Sequence, residues 1–586
     1  MNVADFLNIN AEKFPMNPAV GFKKKDEWKE INWKQFRTLV FKTANALKNA
    51  GIGVEDKVAI YADNSAEWIT FDLAVLSLGA ITVPIYSTNN KEQTEYIIND
   101  AQAKIILAGS QQNYDIAYEI IQNNAYLQKI VVSKKAVWIK KDRSEYLEDF
   151  IQDADQEHQV VDRQPDDLAT LIYTSGTTGI PKGVMLTHNN FVSAFHAHME
   201  FFKFKNFENE HSLAFLPLSH VFERAWTLLC LTFGVKVSFL ENPKLIASAL
   251  SEVKPSMMCA VPRFYQKIYA GVTDMVKSGS PTKQKIFAWA LKVGGEVADY
   301  KRQGKSVPFG LNLKLSLANG LVFNKIKTKM GGKIWFSPCG GASLAEDVSR
   351  FFDAIGLHVT VGYGMTETTA TVTCLPVTNY EYGTVGVTMG DAQVKIAENG
   401  EVLVKGSGIM KGYYNKPEDT AAVFTEDGYM KTGDIGEITP NGNLVIIDRL
   451  KDLMKTSNGK YIAPQPIENA IGGNNLISQV MLVAEGKPYA TAVIVPNFEA
   501  LEPILANKNI PHTDWETTVK NPEVYKLYME LISEALAPFS GFEKVKKIVL
   551  LPKDFDIESG EITPSLKVKR AIVLKKFEEQ ISEMYH

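Results

Sequence analysis

The chain has 586 residues, which at about 150 residues per domain is enough for several domains and a large core. Its 63 Lys+Arg against 67 Asp+Glu leave a net charge of −4, so no global basic field invites nucleic acid. The four cysteines (Cys230, Cys259, Cys339 and Cys374) lie far apart with no CxxC pair, which excludes a disulfide scaffold or a structural zinc site as the organising principle and points to a reducing compartment.

In chain order, the start MNVADFLNINAEKFP has no basic stretch leading into an apolar run, so no secretory signal is expected. Lys57–Tyr61 reads as a strand, 66–78 as a helix, 81–86 as a strand, 92–100 as a helix and 104–108 as a strand. The uncharged run 73–90 contains Gly79 and Pro84 and reads as a buried helix followed by a strand, not a bilayer span. A second apolar run, 225–235, is stopped by Lys236; surface attachment stays open. Further strands are expected at 213–218, 236–240, 333–337 and 358–361, each beside a helical stretch, and this alternation argues for parallel sheets sandwiched by helices. Over 383–449 the texture turns to short strands with turn signals at Glu398-Asn399-Gly400 and Asn441-Gly442, and after Asp452 an α/β texture resumes. The expected architecture is α/β. A large N-terminal domain, 1–450, holds two helix-flanked sheets and a β-rich subdomain at about 383–449, and a smaller α+β domain covers 451–586.

One local composition departs from the rest. The segment 277–333 carries twelve basic residues against Glu296 and Asp299, a local net of +10. It reads either as a solvated helical face or as a landing site for a phosphorylated ligand or an anionic membrane surface.

The strongest chemical signal is LIYTSGTTGIPKGVMLTH, from Leu171 to His188. Thr174, Ser175, Thr177 and Thr178 supply four hydroxyls and Gly176 and Gly179 a bendable backbone, so N–H groups and side chains can surround phosphate oxygens; Lys182 adds a cation. It is not a Walker P-loop, because Pro181 stands at the fifth position after Gly176 where that pattern needs glycine.

This segment resembles the signature loop of the adenylate-forming enzymes, the superfamily of acyl-CoA synthetases, peptide-synthetase adenylation domains and beetle luciferases, where it holds the pyrophosphate end of ATP. Other motifs of that family follow in order. Gly362-Tyr363-Gly364-Met365-Thr366-Glu367-Thr368 resembles the adenine and α-phosphate motif: Tyr363 offers a flat face to a purine, Thr366 a hydroxyl, and Glu367 a hard oxygen for Mg²⁺, which Thr174 also approaches. Gly340-Gly341-Ala342 resembles the backbone that closes the other side of the adenine slot. Thr432-Gly433-Asp434 resembles the ribose-binding motif, Arg449 aligns with a ribose contact, and Lys451 occupies the hinge position. Leu216-Pro217-Leu218-Ser219-His220-Val221-Phe222-Glu223-Arg224 resembles the segment lining the carboxylate end of the acyl pocket, with His220 near the acyl carbonyl. Some fatty acyl members place a gating Trp where this chain has Arg224; Trp226 is close by without an assigned gate. Thr563-Pro564-Ser565-Leu566-Lys567 resembles the C-terminal motif carrying the adenylation lysine, Lys567, with Leu566 where the common form has glycine and with Lys569 two residues on.

The resemblance spans nearly the whole chain, and the stretches 427–468 and 286–332 are most similar to fatty acyl-CoA synthetases. It implies a two-step ligase. A long-chain fatty acid attacks the α-phosphorus of ATP, with Mg²⁺ and Lys567 stabilising developing charge; CoA then displaces AMP after the mobile C-terminal domain swings about Lys451 and presents Gly459 to the pantetheine arm. The resemblance leaves two alternatives: a ligase for a shorter acid or one loading a carrier protein, and a catalytically silent nucleotide- or acyl-binding protein. A cytoplasmic monomer or homodimer is expected, possible surface contact running through 277–333, with no nucleic-acid partner.

Overall fold

The computed structural model describes residues 2–175, 180–556, 559–562 and 568–585. The run KVAIY forms the strand Lys57–Tyr61 near the centre of an eight-stranded sheet. Beside it lie Ile81–Ile85, buried at every position, and Ile105–Ala108; strands covered on both faces read as continuous apolar runs. Six strands, from Leu168–Ser175 across to Ser144–Tyr146, pair in parallel; Pro181–Thr187 and Gly412–Tyr413 extend the other edge antiparallel. Helices begin where side-chain caps permit: Ser65 accepts from the Trp68 N–H ahead of Ala66–Ser77, and Thr187 with Asn190 forms a capping box for His188–Phe202.

A second layer joins two four-stranded sheets, one containing His211–Ala214 and Lys236–Phe239, the other Ser337–Cys339 and Val359–Tyr363. Met257 bridges Ser212 on one side and Phe336 on the other, so the two run on as one surface. Gln393–Ile396, Glu401–Lys405, Met430–Ile438 and Leu444–Arg449 form a separate four-stranded antiparallel sheet. Beyond it, Ile477–Val483, Thr491–Pro496 and Lys547–Leu550 form a small mixed sheet with its own core, including Ile467, Ile494, Tyr528 and Ile548. The four cysteines are buried and unbridged.

Two expected strands are corrected. The 213–218 run ends its pairing at Ala214, because the next backbone donors, on Phe215 and Leu216, turn to the Glu223 carboxylate (3.3 and 3.0 Å) and Pro217 has no N–H to offer. The 333–337 run becomes Ser337–Cys339. The Trp335 N–H bonds the Ser256 carbonyl, and the partner strand lies opposite only from Ser337 onward.

The layers are locked by one fully buried ion pair. Arg224, on the helix Val221–Thr232, donates from Nη2 and Nε to both oxygens of Asp72 (2.6 and 2.9 Å) and from Nη1 to Thr170 Oγ1 (2.7 Å). Thr170 in turn donates to the Thr82 carbonyl at 2.6 Å, and neither member of the ion pair is exposed. Removing one partner leaves a charge in a dry interior. Asp72→Asn is therefore expected to destabilise the N-terminal part by about 3–5 kcal/mol, read as a lower urea midpoint of its unfolding transition.

Candidate functional site

Leu168–Ser175 and Pro181–Thr187 form a hairpin in which Thr174 pairs with Lys182 and Ser175 with Pro181. Of the phosphate-loop residues, Gly176, Thr177, Thr178 and Gly179 lie outside the described residues, as does the Ser175 side chain. Thr174 is half-buried at the rim, and the hairpin brings Lys182 back beside it. The Lys182 ammonium pairs with Asp419 at 2.6 Å and stands 5.2 Å from the Tyr413 ring centre. The loop is thus a strand-to-strand connection with a cation at its base, not a strand-to-helix turn.

Across from the hairpin, Val359–Tyr363 runs into the short helical turn Thr366–Thr368. Gly364 sits where a Cβ would come within 2.0 Å of the Ala370 carbonyl oxygen, so only glycine allows this turn to fold back on itself. Thr366 and Glu367 are buried. Glu367 accepts from the Tyr413 hydroxyl at 2.9 Å, and desolvation raises its pKa above the ordinary glutamate value. A buried carboxylate whose side-chain partner is a neutral phenol is under-compensated in charge. A divalent cation shared with Thr174 and a nucleotide's phosphates suits it; among the described residues no group of three or more His, Cys, Asp or Glu forms a site of its own.

The segment expected to meet ribose converges with the one expected to meet the purine. Tyr363 donates its hydroxyl to Asp434 Oδ2 at 2.6 Å, and Arg449 Nε lies 3.3 Å from Oδ1, across the register that pairs Asp434 with Arg449. Tyr363 therefore has a polar handle on the Asp434 carboxylate besides the flat face read from the sequence. Gly341, at φ +87°, and Ala342 are exposed at the mouth, while Gly340 is buried against the Phe222 ring.

Between these groups a cavity opens, lined by His220, Phe222, Trp226 and Leu229 on one side and by Gly341, Gly364 and Met365 on the other. The same residues that mark the nucleotide motifs thus edge an apolar chamber with few polar groups, the usual character of a site for an apolar ligand. Its floor is aromatic: Trp226 stacks on Phe336 at 6.0 Å, Phe202 meets Phe336 at 4.8 Å, and Trp226 Nε1 is satisfied by Ser212 Oγ at 3.0 Å. His220 caps its helix by accepting the Phe222 N–H at Nδ1, which places the neutral ring's proton on Nε2. Arg224 is no gate, since it faces Asp72 on the opposite side of the helix from the cavity, and Trp226 lines the chamber in its stead.

Tyr413 and Asp419 were not legible as site residues: no motif marks them, and they act on Glu367 and Lys182 from far along the chain. Glu223 lies within the segment 216–224, but its role there was not legible. Burial pushes the Glu223 carboxyl up to about 8, against two backbone donors that hold the segment leading to His220.

The C-terminal part is held against this site by Arg263. Its guanidinium donates to the carbonyls of Gly472 (2.7 Å), Ile477 (2.9 Å) and Ser478 (3.1 Å), and the first of these ends the helix Pro464–Gly472. Asn469 Nδ2 also donates to Ser343 Oγ at 2.6 Å, just past Ala342. Lys451 is exposed in the connection, and Gly459, at φ +76°, turns an exposed hairpin with open space about it. Lys567 lies outside the described residues.

Residues 7–414 match the family described as AMP-binding enzyme, and 451–586 match its C-terminal domain. The chain is 30% identical over 560 residues to the long-chain-fatty-acid–CoA ligase FadD15 of Mycobacterium bovis, covering 95% of this chain and 93% of that protein. It is also 30% identical to long chain acyl-CoA synthetase 4 of Arabidopsis thaliana, covering 99% and 91%. Among solved structures, the adenylation domain of a carboxylate reductase from Mycobacterium chelonae superposes with a TM-score of 0.79 at 20% identity, over 100% of this chain and 91% of that one. Fold, site and sequence together make the chain a member of the adenylate-forming AMP-binding enzymes, in the branch of the long-chain acyl-CoA ligases.

Two outcomes test this geometry. Glu223 has a folded pKa raised from an ordinary 4.5 to about 8, so between those values the folded state holds a proton that the unfolded chain releases. Its contribution to stability is present in full below about 4.5 and is lost as pH rises to about 8; Glu223→Gln is expected to flatten that fall in urea midpoints measured across the window. Arg263→Ala removes three charge-assisted hydrogen bonds of about 1.5–3 kcal/mol each, so tryptic cleavage at Lys451 is expected to accelerate about tenfold or more. An unchanged cleavage rate would leave the contact without a holding role.

Proposed function

We propose that the protein activates a long-chain fatty acid with ATP, forming acyl-adenylate and pyrophosphate, and then transfers the acyl group to CoA with release of AMP. The observation that supports it most directly is the shared edge of two sites: His220, Gly341, Gly364 and Met365 border the apolar cavity within the motifs that resemble nucleotide contacts.

The chemistry follows from what each group can do. A carboxylate does not react usefully with a thiol because the leaving group would be oxide; adenylation replaces it with a phosphate ester. In this reading the acid lies in the cavity with its carboxylate toward His220, whose neutral ring carries its proton on Nε2. Asp434, positioned by Tyr363 and Arg449, accepts from the ribose hydroxyls, and Gly341, Ala342 and Tyr363 flank the adenine. Thr174 through Gly179 surround the β- and γ-phosphates, with Lys182 at the base of the hairpin. Bound Mg²⁺ supplies charge neutralisation on the phosphates, and Glu367 with Thr174 would hold it. Thr366 and Lys567 stabilise charge at the α-phosphate.

The reading includes a division at 450/451, with Lys451 as the hinge on which the C-terminal domain exchanges Lys567 for Gly459 and the pantetheine arm. It also includes a cytoplasmic monomer or homodimer whose basic segment 277–333 faces an anionic membrane surface. The second reading, a ligase loading a carrier protein, draws on the likeness to the carboxylate reductase domain, which extends to the fold alone. AMP release with CoA, against release with a carrier protein, separates the two.

Lys567→Ala is expected to slow acid-dependent ATP–pyrophosphate exchange by about 10²–10³-fold, as loss of one transition-state donor does. Thioester formation from supplied acyl-adenylate is expected to change far less. Equal loss in both half-reactions would overturn the role given to Lys567.

A further inference from the structure

The apolar chamber is lined by two polar side chains whose hydrogen-bonding capacity the described residues do not use up. The first is His198, half-buried on the helix His188–Phe202. That helix turns Ala194, Phe195, His198 and Phe202 to the chamber, a stripe set by three- and four-residue spacing. His198 Nδ1 stands 2.7 Å from the Ala194 carbonyl oxygen, which only accepts, so Nδ1 carries a proton. Desolvation holds the ring's pKa below the ordinary histidine value, so at neutral pH Nε2 is bare and is an acceptor. Among the described residues no donor reaches it.

The second is Thr360, on the strand Val359–Tyr363. Alternate residues of a strand share a face, and Thr360, Gly362 and Gly364 line the chamber in that alternation. Thr360 is fully buried, and its Oγ1 has no hydrogen-bond partner among the described residues. It stands three residues before Tyr363, about 10 Å along the strand, and so lies down the chamber from the edge formed by the nucleotide motifs.

Neighbouring polar groups on the same lining are spent inside the protein. Trp226 Nε1 donates to Ser212 Oγ at 3.0 Å, and Thr369 Oγ1 to the Gly408 carbonyl at 2.7 Å. Leaving a buried polar atom unpaired is unfavourable, so two of them on one apolar wall point to a ligand that completes them. A bare acceptor and an unspent hydroxyl together call for a group that both donates and accepts. An alcohol does both. A hydrocarbon chain does neither, a keto group has nothing to donate to Nε2, and an ammonium or second carboxylate would bring an uncompensated charge into the wall.

We propose that the chamber selects acids carrying a hydroxyl on the hydrocarbon chain, the hydroxyl donating to His198 Nε2 with Thr360 Oγ1 as its second polar partner. The polar pair stands on these two residues; its use, choosing the acid to be activated, rests on the proposed function and names a substrate class for it.

The test is titration calorimetry of the full-length protein with tetradecanoic acid and with its monohydroxylated isomers as a positional series. AMP release with ATP and CoA is measured for each acid in parallel. Expected is a hydroxyl position that binds at least about tenfold more tightly than the plain acid. His198→Phe and Thr360→Val keep the shape and remove the polar atom, and each is expected to reduce that preference to about threefold or less. The preference is a ratio within one protein, so a general loss of binding cancels, and the parent series alone can still overturn the proposal where a variant fails to fold. No gain at any position, as a pair serving only internal water would show, overturns it. So does a preference that either variant keeps in full. AMP release from none of the acids, with the binding preference intact, would sink the proposed function and leave the hydroxyl site standing; AMP release with no preference would do the reverse.

Discussion

Arg224 is a full positive charge with no exposure to water, and three separate pieces of the chain meet on it. Asp72 comes from a helix over the central sheet, Thr170 from the strand that leads to the phosphate loop, and Arg224 itself from the helix that walls the cavity. A charge in a dry interior tolerates little movement of its partners, because each lost hydrogen bond leaves an uncompensated group. The ion pair therefore sets the register between the strand carrying Thr174 and the helix carrying His220. Chemistry that needs a phosphate and a carboxylate at one point depends on that register more than on either motif alone.

The neighbouring Glu223 works on the same helix in a complementary way. Its carboxyl takes the backbone donors of Phe215 and Leu216, ends a strand, and turns the chain toward His220. Two adjacent buried ionisable residues, both on the face turned away from the cavity, thus position the face that is turned toward it. The far side of the cleft is assembled by polar pairing across long sequence separations, Tyr363 with Asp434 and Tyr413 with Glu367. Arg263 extends this pairing to the C-terminal part through carbonyl oxygens only. A cation held by neutral acceptors is bound more weakly than one held by carboxylates, which suits a contact that must break if the domains are to move.

The chain uses apolar surface in two ways. Around Trp226 and Phe336 it is enclosed and aromatic, so a ligand entering there meets packed walls. Along Phe309, Leu313, Leu317 and Leu321 it is open, rimmed by lysines, and lies on the outer face of a helix whose inner face already meets the core.

The sequence by itself determined the elements whose signal is local. Lys57–Tyr61 and its neighbours are apolar runs of strand length, Ala66–Ser77 starts at a serine cap, and the Gly/Thr-rich segment is expected to hold phosphate because small, flexible, hydroxyl-bearing residues stand there in consecutive order. Glu367 and Asp434 are expected site residues from the motifs around them. Only the tertiary structure decided what depends on partners from elsewhere. The strand at His211–Ala214 stops where a carboxylate eight residues on captures its donors. Arg224, at the position where some family members have a gating Trp, is a buried clamp because Asp72 lies opposite, and Tyr413 joins the site across a sheet edge. A hydrogen bond or ion pair between distant residues leaves no periodicity in either segment; it exists only once folding has brought the two chains of atoms within about 3 Å.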